Sequence, residues 1–411
     1  MNNKSAAKKI VFLILLVFSV RVAAIFILGW HINPDTWEYD EIALNILSGK
    51  GYVYNHFNTD CYLFGPSPLY AYFEAFIHFL TGKNYFLLEM IHAAIAALAV
   101  IPLFCIAKKI FDEKTAFISG LLYCLHPGLV VYTVKIHEFT LVAFFILMIT
   151  CILLYSENKI RNIILAGALL GAGILLRPTL IYIIPSFFVY LMLKKNGFKK
   201  AASKTLLIFL LAGCVISPWI YRGYKLCGRV IFVTSSSGWL FWRGNNPGAS
   251  GTALTVDRKP IFSVADENFK EKVYSLDETG QYDFFRSEAL KYIRENPKKF
   301  FENTAKKFIY FWFFSPQTGF TYPSGWLLFY MVIYYFLALF FIAGLYFASG
   351  AGAIDKAALG FLLSIFIIIS LGQSFFYTEM RHRWMIEPLL MIISAYGISA
   401  IFSARDKKLP R

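Results

Sequence analysis

Long runs of apolar residues alternate with short, mostly basic polar segments along nearly the whole chain. A helix needs about 20 apolar residues to cross the hydrocarbon core of a bilayer, and most of the runs are close to that length. The pattern therefore predicts ten membrane-spanning helices. Their expected ranges are 10–30, 85–107, 115–134, 138–155, 161–176, 179–193, 204–222, 324–346, 356–377 and 384–403.

Two longer polar stretches, residues 31–85 and 222–323, interrupt this pattern. The first contains the piece LYAYFEAFIHFL, in which one Glu and one His break an apolar run, as is typical of a helix lying along the membrane surface. The second ends in ENTAKKFIYFWFF, whose two central lysines favour another interfacial helix over an eleventh crossing. Between these pieces, the turn-rich segment TSSSGWLFWRGNNPGASG is followed by residues with helical spacing.

The expected fold is therefore an all-α polytopic membrane protein with about ten transmembrane helices, interfacial helices and a small mixed outer segment. We divide the chain into an N-terminal membrane module, an outer segment and a C-terminal membrane part. Their ranges are 1–221, which includes the first outer loop 31–85, then 222–323, and finally 324–411 with a cytoplasmic tail.

The distribution of Lys and Arg predicts the orientation of these spans, because cytoplasmic loops carry an excess of basic residues. With the N-terminus inside, both termini are cytoplasmic and the two long polar stretches lie outside. The inner loops and tail then hold Lys108, Lys109, Lys114, Lys159, Arg161, Lys194, Lys195, Lys199, Lys200, Lys356, Arg405, Lys407 and Lys408, whereas the short outer loops hold only Lys135, Arg177, Arg381 and Arg383.

Composition excludes a soluble protein, since 58% of the residues are apolar and only 16% are charged, against about 25% charged in soluble domains. The net charge of +15 comes mainly from basic loop residues, which set the orientation of the spans and attract anionic lipid headgroups. Membrane lipids are therefore expected partners, and nucleic acid is not. Of six cysteines, Cys61 and Cys227 fall in outer loops, where a disulfide between them stays open. No Cys or His spacing predicts a zinc site.

One charge lies inside an apolar run. Arg21 falls within the first span, which continues to about Trp30 and is therefore interpreted as a span and not as a cleaved signal peptide. An unpaired charge at that depth is costly. We expect a carboxylate or a backbone partner for Arg21 within the bundle.

The remaining polar residues gather at the predicted outer ends of the spans. Acids and bases that converge on one face of an apolar bundle indicate a site for an anionic, membrane-anchored ligand. Each residue also has a local explanation: an acid can cap a helix or interact with its dipole, and an Arg can extend to the interface. These residues are Asp35, Glu38, Asp40, Glu41, Glu138, Arg177, Arg381, His382 and Arg383.

The order of the motifs is more specific than any single residue. The chain resembles the GT-C superfamily of membrane glycosyltransferases, most closely the family 39-like bacterial proteins of the dolichyl-phosphate-mannose-protein mannosyltransferase type, which include aminoarabinose transferases that modify lipid A. The resemblance covers nearly the whole chain. The motifs are PDTWEYDEIALNILSGKGY, GPSPLYAYF, HPGLVVYTVKIHE, LLRPT, SPWIYRGYKLCGRVIFVTSSSGWLFWRGNNPGASG, EALKYIRENPKKF and EMRHRWMIEPLLMIISAYG.

The resemblance implies roles for particular residues. Asp35 matches the acid of the first outer loop, the candidate catalytic base, and Glu138 matches a second acid at the start of the fourth span. Arg177 matches a basic residue that faces the donor phosphate. Arg381 and Arg383 both match the basic element before the last span, because this chain has Arg-His-Arg-Trp there. Possible acceptor contacts or supporting residues are Glu38, Tyr39, Tyr70 and His382.

The implied reaction moves a sugar from a polyprenyl-phosphate donor to a lipid, glycan or protein acceptor, on the outer face of a bacterial inner membrane and with inversion. A lipid phosphate can leave without a metal, so no cofactor is required and no metal ligands are assigned, although a divalent cation is not excluded. GPSPLY stands where relatives often have a His or Arg before two prolines, which weakens a metal or acceptor role for that segment.

Three alternatives stay open at this point. A lipid-linked glycan polymerase or ligase would share the polytopic pattern and the charged site. A lipid or sugar transporter would place its important residues near the bilayer midplane, and a scaffold protein would not need acids and arginines to converge.

Overall fold

The computed structural model describes residues 3–34, 36–63, 65, 67–156, 159–318, 322–352 and 354–406. Within these ranges the chain is helical apart from loops and one antiparallel hairpin, formed by β1 (Tyr54–His56) and β2 (Thr59–Cys61). In this hairpin Tyr54 lies opposite Cys61.

The first half of the chain forms eleven α-helices and one short 3-10 helix. They are α1 (Asn3–Leu28), α2 (Glu38–Leu47), α3 (Pro68–Thr81), α4 (Tyr85–Leu98), α5 (Val100–Ile110), α6 (Glu113–Leu125), α7 (Pro127–Val134), α8 (Phe139–Leu154), α9 (Ile160–Leu176), the 3-10 turn Pro178–Tyr182, α10 (Ile183–Leu193) and α11 (Phe198–Cys227).

The second half contains a group of shorter helices followed by the last apolar ones. They are α12 (Ser236–Gly244), the 3-10 turn Ile261–Val264, α13 (Glu267–Tyr274), α14 (Glu278–Glu295), α15 (Pro297–Trp312), α16 (Ser324–Gly350), α17 (Lys356–Ser374), α18 (Arg381–Trp384) and α19 (Glu387–Asp406).

The chain is an all-helical, multi-pass membrane protein, as predicted. By length and composition five helical segments of the described chain can each cross a bilayer, and α6 with α7, bent by 55°, makes a sixth. The other four predicted spans correspond to shorter apolar helices, so fewer than ten segments reach full spanning length. The five are Lys4–Leu28, Tyr85–Ile110, Phe198–Cys227, Ser324–Gly350 and Lys356–Ser374, and the four are Phe139–Leu154, Ile160–Leu176, Pro178–Leu193 and Glu387–Ser403.

Several of these helices keep apolar faces uncovered. Only 28% of the most apolar window of α1, 22% of that of α11 and 28% of that of α16 is buried inside the protein. Apolar surface of that extent needs lipid around it. Elsewhere the packing is tight: a Cβ on Gly397 of α19 would lie 2.1 Å from the carbonyl oxygen of Phe340 in α16, so the two backbones touch.

The bend between α6 and α7 explains how the chain accommodates Arg21. Pro127 has no backbone N–H to continue the helix, so carbonyl groups at the end of α6 lose their usual partner. The guanidinium of Arg21 donates to the carbonyl oxygens of Cys124 at 2.6 Å and Tyr123 at 3.1 Å. The expected partner within the bundle is confirmed, and it is the backbone.

The two long polar stretches pack against each other. The carboxylate of Glu278 accepts hydrogen bonds from the backbone N–H groups of Tyr62 at 2.7 Å and Leu63 at 2.9 Å, and from the hydroxyl of Ser235 at 2.6 Å. A small apolar cluster around Trp242 also includes Phe57 from the hairpin turn. We refer to residues 36–63 and 228–312 as the polar layer. Cys61 and Cys227 are free thiols. The division of the chain into three parts stays a prediction.

Candidate functional site

A cavity of about 280 Å³ lies between the polar layer and the ends of the apolar helices. Its charged lining comes from segments far apart in the chain, which the fold brings together. The start of α2 supplies Trp37, Glu38 and Tyr39. The other charged residues of the lining lie at or next to the ends of helices. The ionisable residues of the lining that bear on its chemistry are Glu38, His137, Glu138, Arg177, Arg243, Arg381 and His382.

Arg177 occupies the break between α9 and the following 3-10 turn. Pro178 disfavours a helical conformation at the preceding residue, and Arg177 is extended, with φ −154° and ψ 115°. Its Nη1 lies 2.6 Å from Oε1 of Glu138. Its guanidinium carbon lies 4.8 Å from the ring centre of Phe139. The predicted second acid and the predicted phosphate ligand are therefore direct partners.

Glu138 is held by two further groups. The hydroxyl of Tyr39 donates to its Oε2 at 2.5 Å, and Nδ1 of His137 contacts the same oxygen. Burial alone would raise the pKa of this carboxyl, but His137, Arg177 and Tyr39 outweigh it and hold the pKa at about 2. Such a carboxylate stays ionised and accepts protons poorly, so it is suited to orienting its neighbours.

The pKa of the Glu38 carboxyl is shifted in the opposite direction from that of Glu138. Burial raises the pKa of its carboxyl, and the negative charge of Glu138 adds to that effect, while Arg381 and Arg243 oppose it. A carboxylate with a raised pKa accepts a proton near neutral pH more readily. Glu38 therefore has the better properties for a base among the two described carboxylates of the cavity.

Arg381 and His382 lie side by side in α18. Nε of Arg381 is 2.8 Å from Oε2 of Glu379, and its guanidinium carbon lies 4.8 Å from a ring centre of Trp37. Burial lowers the pKa of His382 well below its usual value, and Arg177 and Arg381 lower it further. Its Nδ1 accepts the backbone N–H of Glu379 at 3.3 Å. The neutral imidazole therefore carries its proton on Nε2, where it can donate.

Arg243, at the end of α12, is a cavity residue that the sequence analysis missed. A Cβ on Gly244 would lie 2.5 Å from the backbone of Phe376, so this glycine allows α12 to approach that segment. The Arg243 guanidinium carbon consequently lies 4.6 Å from the ring centre of Tyr377 and 5.8 Å from that of Trp239. The only sequence signal was an Arg inside a turn-rich outer segment.

Arg243 also differs from the other two arginines in its partners. Within the part of the chain that the structure describes, Arg243 has no carboxylate partner, whereas Arg177 pairs with Glu138 and Arg381 with Glu379. The buried Nε of Arg243, like that of Arg177, has no hydrogen-bond partner there. Its one hydrogen bond, from Nη2 to the carbonyl of Ala253, is long at 3.4 Å. The guanidinium is therefore available to an anionic ligand.

Two predicted site residues, Tyr70 and Arg383, do not line this cavity. A third, Asp35, lies outside the described residues. Tyr70 does not line the cavity: its hydroxyl is 3.2 Å from Nε2 of His92, and its ring packs against Tyr39, with ring centres 4.6 Å apart. Tyr70 thus supports a cavity residue from behind.

Arg383 is fully buried away from the cavity. Its Nε lies 2.5 Å from Oε1 of Glu387, its Nη1 donates to the carbonyl of Phe311 at 2.7 Å and its Nη2 donates to the hydroxyl of Tyr330 at 2.8 Å. The same carboxylate is 2.6 Å from Nε2 of His126. With its donors satisfied in the core, Arg383 has the environment of a structural residue.

One group of side chains has the composition of a metal site, although the sequence analysis assigned no metal ligands. Asp40 of α2 and Glu74 and His78 of α3 place one ligand atom each within 4.8 Å of the others, and all three are buried. The sequence offered only the Glu-x-x-x-His spacing as a signal, and it gave no indication that α2 would supply a third ligand.

Residues 65–221 match the family model described as dolichyl-phosphate-mannose-protein mannosyltransferase. Over these residues the chain is similar to that family. The resemblance expected from the ordered motifs is thereby confirmed for this part of the chain. The matched residues include Glu138 and Arg177 but end before Arg243 and α18. No curated protein sequence matches the chain.

Two solved structures share the helical fold of this chain at low sequence identity. The archaeal oligosaccharyltransferase AglB from Archaeoglobus fulgidus, in complex with an inhibitory peptide and a dolichol-phosphate, is 13% identical with a TM-score of 0.56, over 97% of this chain and 50% of that one. An Archaeoglobus fulgidus oligosaccharyltransferase in complex with Zn and sulfate is 14% identical with a TM-score of 0.55, over 96% of this chain and 49% of that one. This chain thus spans about half the length of these two chains.

A third structure is ArnT from Cupriavidus metallidurans bound to undecaprenyl phosphate. It is 13% identical with a TM-score of 0.45, over 96% of this chain and 80% of that one.

Proposed function

We propose that this protein transfers a sugar from a polyprenyl-phosphate donor to a lipid, glycan or protein acceptor on the outer face of a bacterial inner membrane. The observation that carries the proposal is the cavity in which Arg177, Arg243 and Arg381 each stack on an aromatic ring beside the carboxylates of Glu38 and Glu138. Guanidinium groups match the geometry and charge of a phosphate. The dolichol-phosphate in the AglB structure supports a lipid phosphate as the ligand of this fold.

In this proposal Arg243 makes the direct contact with the donor phosphate, since no carboxylate among the described residues competes for it. Arg177 and Arg381 contribute positive charge while Glu138 and Glu379 hold them in place. Their field stabilises the negative charge that develops on the phosphate as it leaves. We do not retain Arg383 as a phosphate ligand, because Glu387, Tyr330 and Phe311 already occupy its donors.

The reaction is a direct displacement at the anomeric carbon. A hydroxyl or amine of the acceptor forms the new bond as the bond between the anomeric carbon and the phosphate oxygen breaks, which inverts the centre. A carboxylate takes the proton of the acceptor. We assign this role to Asp35 from its match to the family's acid, with Glu38 as the described alternative. Glu138 is a positioning residue, since its pKa of about 2 makes it a weak base.

The polar layer has a second role in this reaction. Together with the helix ends it lines the cavity through Trp239, Leu240 and Phe376, which are apolar. An apolar lining limits the access of water, which would otherwise hydrolyse the donor. A phosphate monoester leaving group with three arginines nearby has no need of a metal for charge neutralisation.

The test is sugar transfer in proteoliposomes from radiolabelled polyprenyl-phosphate sugars. The native chain is compared with Asp35→Asn, with Glu38→Gln and with Asp257→Asn, a matched control in an exposed turn of the polar layer. We expect acceptor-dependent loss of label from the lipid by the native chain and the control, and none by Asp35→Asn.

Full activity of Asp35→Asn together with loss in Glu38→Gln would move the base to Glu38. Absence of transfer by the native chain across a panel of donors and acceptors, together with movement of the labelled lipid between leaflets, would overturn the proposal in favour of a transporter.

A further inference from the structure

A second cluster of ionisable groups lies outside the cavity, between α2 and α3. It consists of Asp40, Glu74 and His78, none of which lines the cavity. Glu74 and His78 are four residues apart and so project from the same face of α3. Asp40 follows Glu38 and Tyr39, the two residues of α2 that line the cavity. The cluster therefore joins the helix that carries cavity residues to the helix behind it.

The distances within the cluster are those of a shared ligand site. Nε2 of His78 lies 3.4 Å from Oδ1 of Asp40 and 3.5 Å from Oε1 of Glu74. Bonds of about 2.0–2.2 Å at tetrahedral angles separate two ligand atoms by about 3.3–3.6 Å. The ligand atoms of Asp40 and Glu74 lie within 4.8 Å of each other, so one ion can contact all three side chains once the two carboxylates adjust around it.

A second observation that points to a ligand is that polar atoms of the cluster are buried without hydrogen bonds. Glu74 and His78 are at most 2% exposed, yet neither carboxylate oxygen of Glu74 and neither ring nitrogen of His78 has a hydrogen-bond partner among the described residues. The contacts of Nε2 of His78 with Asp40 and Glu74, at 3.4 and 3.5 Å, are too long or poorly aligned to count as hydrogen bonds, and a buried carboxylate without hydrogen bonds is costly. Asp40, by contrast, accepts the hydroxyl of Tyr85 at 2.8 Å, as a carboxylate in the neighbourhood of a bound metal commonly does.

We propose that Asp40, Glu74 and His78 bind one divalent transition-metal ion, with Zn²⁺ as the best match. An imidazole nitrogen with two carboxylate oxygens suits Zn²⁺ and its neighbours in the first transition row. Mg²⁺ and Ca²⁺ are weaker matches, because they take oxygen ligands at higher coordination numbers. Water completes a four-coordinate site.

The charged group next to the cluster is Lys83, whose Nζ is 4.0 Å from Oδ2 of Asp40 and which is exposed enough to move away. A metal ion binds the neutral imidazole and the ionised carboxylates, so protons compete with it for these side chains.

The consequence is a structural one. By holding α2 against α3, the ion fixes Glu38 and Tyr39 at the cavity wall without itself contacting the substrate. The site is independent of the proposed transferase activity, since metal binding is measured without a sugar donor.

The experiment uses the full chain, free of any polyhistidine tag, purified in detergent and stripped of metal with a chelator. Zn²⁺ alone is titrated by calorimetry, the bound metal is counted by mass spectrometry, and thermal unfolding is followed with and without Zn²⁺. Co²⁺ substitution gives an independent optical reading of the coordination. The variants are Glu74→Gln and His78→Gln. The matched control is Glu89→Gln, a buried glutamate of α4 whose carboxylate is 3.1 Å from His31.

We expect one Zn²⁺ per chain, a higher midpoint of unfolding with Zn²⁺, and at least about 100-fold weaker binding in both variants, with the control unchanged. No stoichiometric binding to the native chain would overturn the proposal, whatever the variants do. Undiminished binding in folded Glu74→Gln and His78→Gln would also overturn it, because the ion would then lie elsewhere.

Discussion

The guanidinium of Arg177 and the carboxylate of Glu138 form an ion pair inside the cavity wall, with Nη1 2.6 Å from Oε1. Their side chains are 15% and 3% exposed, so solvent screens the pair only weakly. The two residues are 39 positions apart in sequence. This ion pair fixes the positions of both charged side chains in the cavity wall without a bound ligand.

Replacement of Glu138 by Gln tests that relationship. The variant removes the negative charge that pairs with Arg177 and accepts from Tyr39. We therefore expect kcat/KM for transfer to fall about 10- to 100-fold, as for lost hydrogen bonds to charged groups. Because both residues act as a unit, Arg177→Gln and the double variant should lose a similar amount. The measurement is a double-mutant cycle on kcat/KM, and fully additive losses would contradict a functional pair.

Arg243→Gln tests the direct contact with the donor phosphate. We expect the KM for the donor to rise about 10- to 100-fold while kcat changes less, because the lost hydrogen bonds belong mainly to binding. Steady-state kinetics over a range of donor concentrations measures this. Arg229→Gln is the control, since Arg229 forms an exposed pair with Asp283 away from the cavity. An equal rise of KM in the control would indicate a general effect of positive charge.

The two arginines of the Arg-His-Arg-Trp motif should behave differently. Arg383→Gln leaves Glu387 without its buried guanidinium partner, and breaking a pair of this kind costs about 3–5 kcal/mol of stability. Arg381→Gln should abolish most activity while its midpoint of unfolding stays close to that of the native chain. Thermal unfolding in detergent, combined with the transfer assay, separates the two. A stable, inactive Arg383→Gln variant would return Arg383 to the catalytic site.

Lys307 of α15 predicts a pH dependence of stability. It is buried, its Nζ is 3.0 Å from Oδ1 of Asn245, and burial lowers its pKa from 10.5 to about 7. Below about pH 7 both states are protonated and the folded state bears the full cost of the buried charge. Between about pH 7 and 10.5 the unfolded state binds more protons, so the stability of the folded state rises with pH.

The measurement for Lys307 is the midpoint of unfolding from pH 7 to 10 in the native chain and in Lys307→Met. The native chain should gain stability relative to the variant as the pH rises. Lys306→Met, which alters the exposed neighbouring lysine, is the matched control and should follow the native chain. A constant difference between the native chain and Lys307→Met would contradict the lowered pKa.

The sequence alone predicted those features that depend on neighbouring residues. The apolar runs located the helices of the bundle, because an apolar segment must be covered by lipid or protein at any position in the fold. The predicted fifth span ended at residue 176, and Arg177, before Pro178, indeed leaves the helical conformation. The predicted span 115–134 instead ran through Pro127, where the structure ends α6 and bends the chain by 55°. For Arg21 the class of partner followed from the cost of burying a charge in an apolar span.

The sequence did not predict which side chains of a helix face the cavity. Arg381 and Arg383 stand two positions apart in one motif, yet one lines the cavity and the other is enclosed in the core. In a short helix, two residues at that spacing point to different sides. Which side faces the cavity depends on the packing of α18 against its neighbours.

The sequence also did not predict which residues that are far apart in the chain lie close together in the fold. Arg243 reaches the cavity because α12 packs against the segment that carries Tyr377, and Asp40 meets Glu74 and His78 because α2 lies on α3. Apolar pattern and local propensity therefore determined that this chain is a helical membrane protein and where its helices lie. Only the tertiary structure decided which polar side chains meet, because that depends on contacts between segments far apart in sequence.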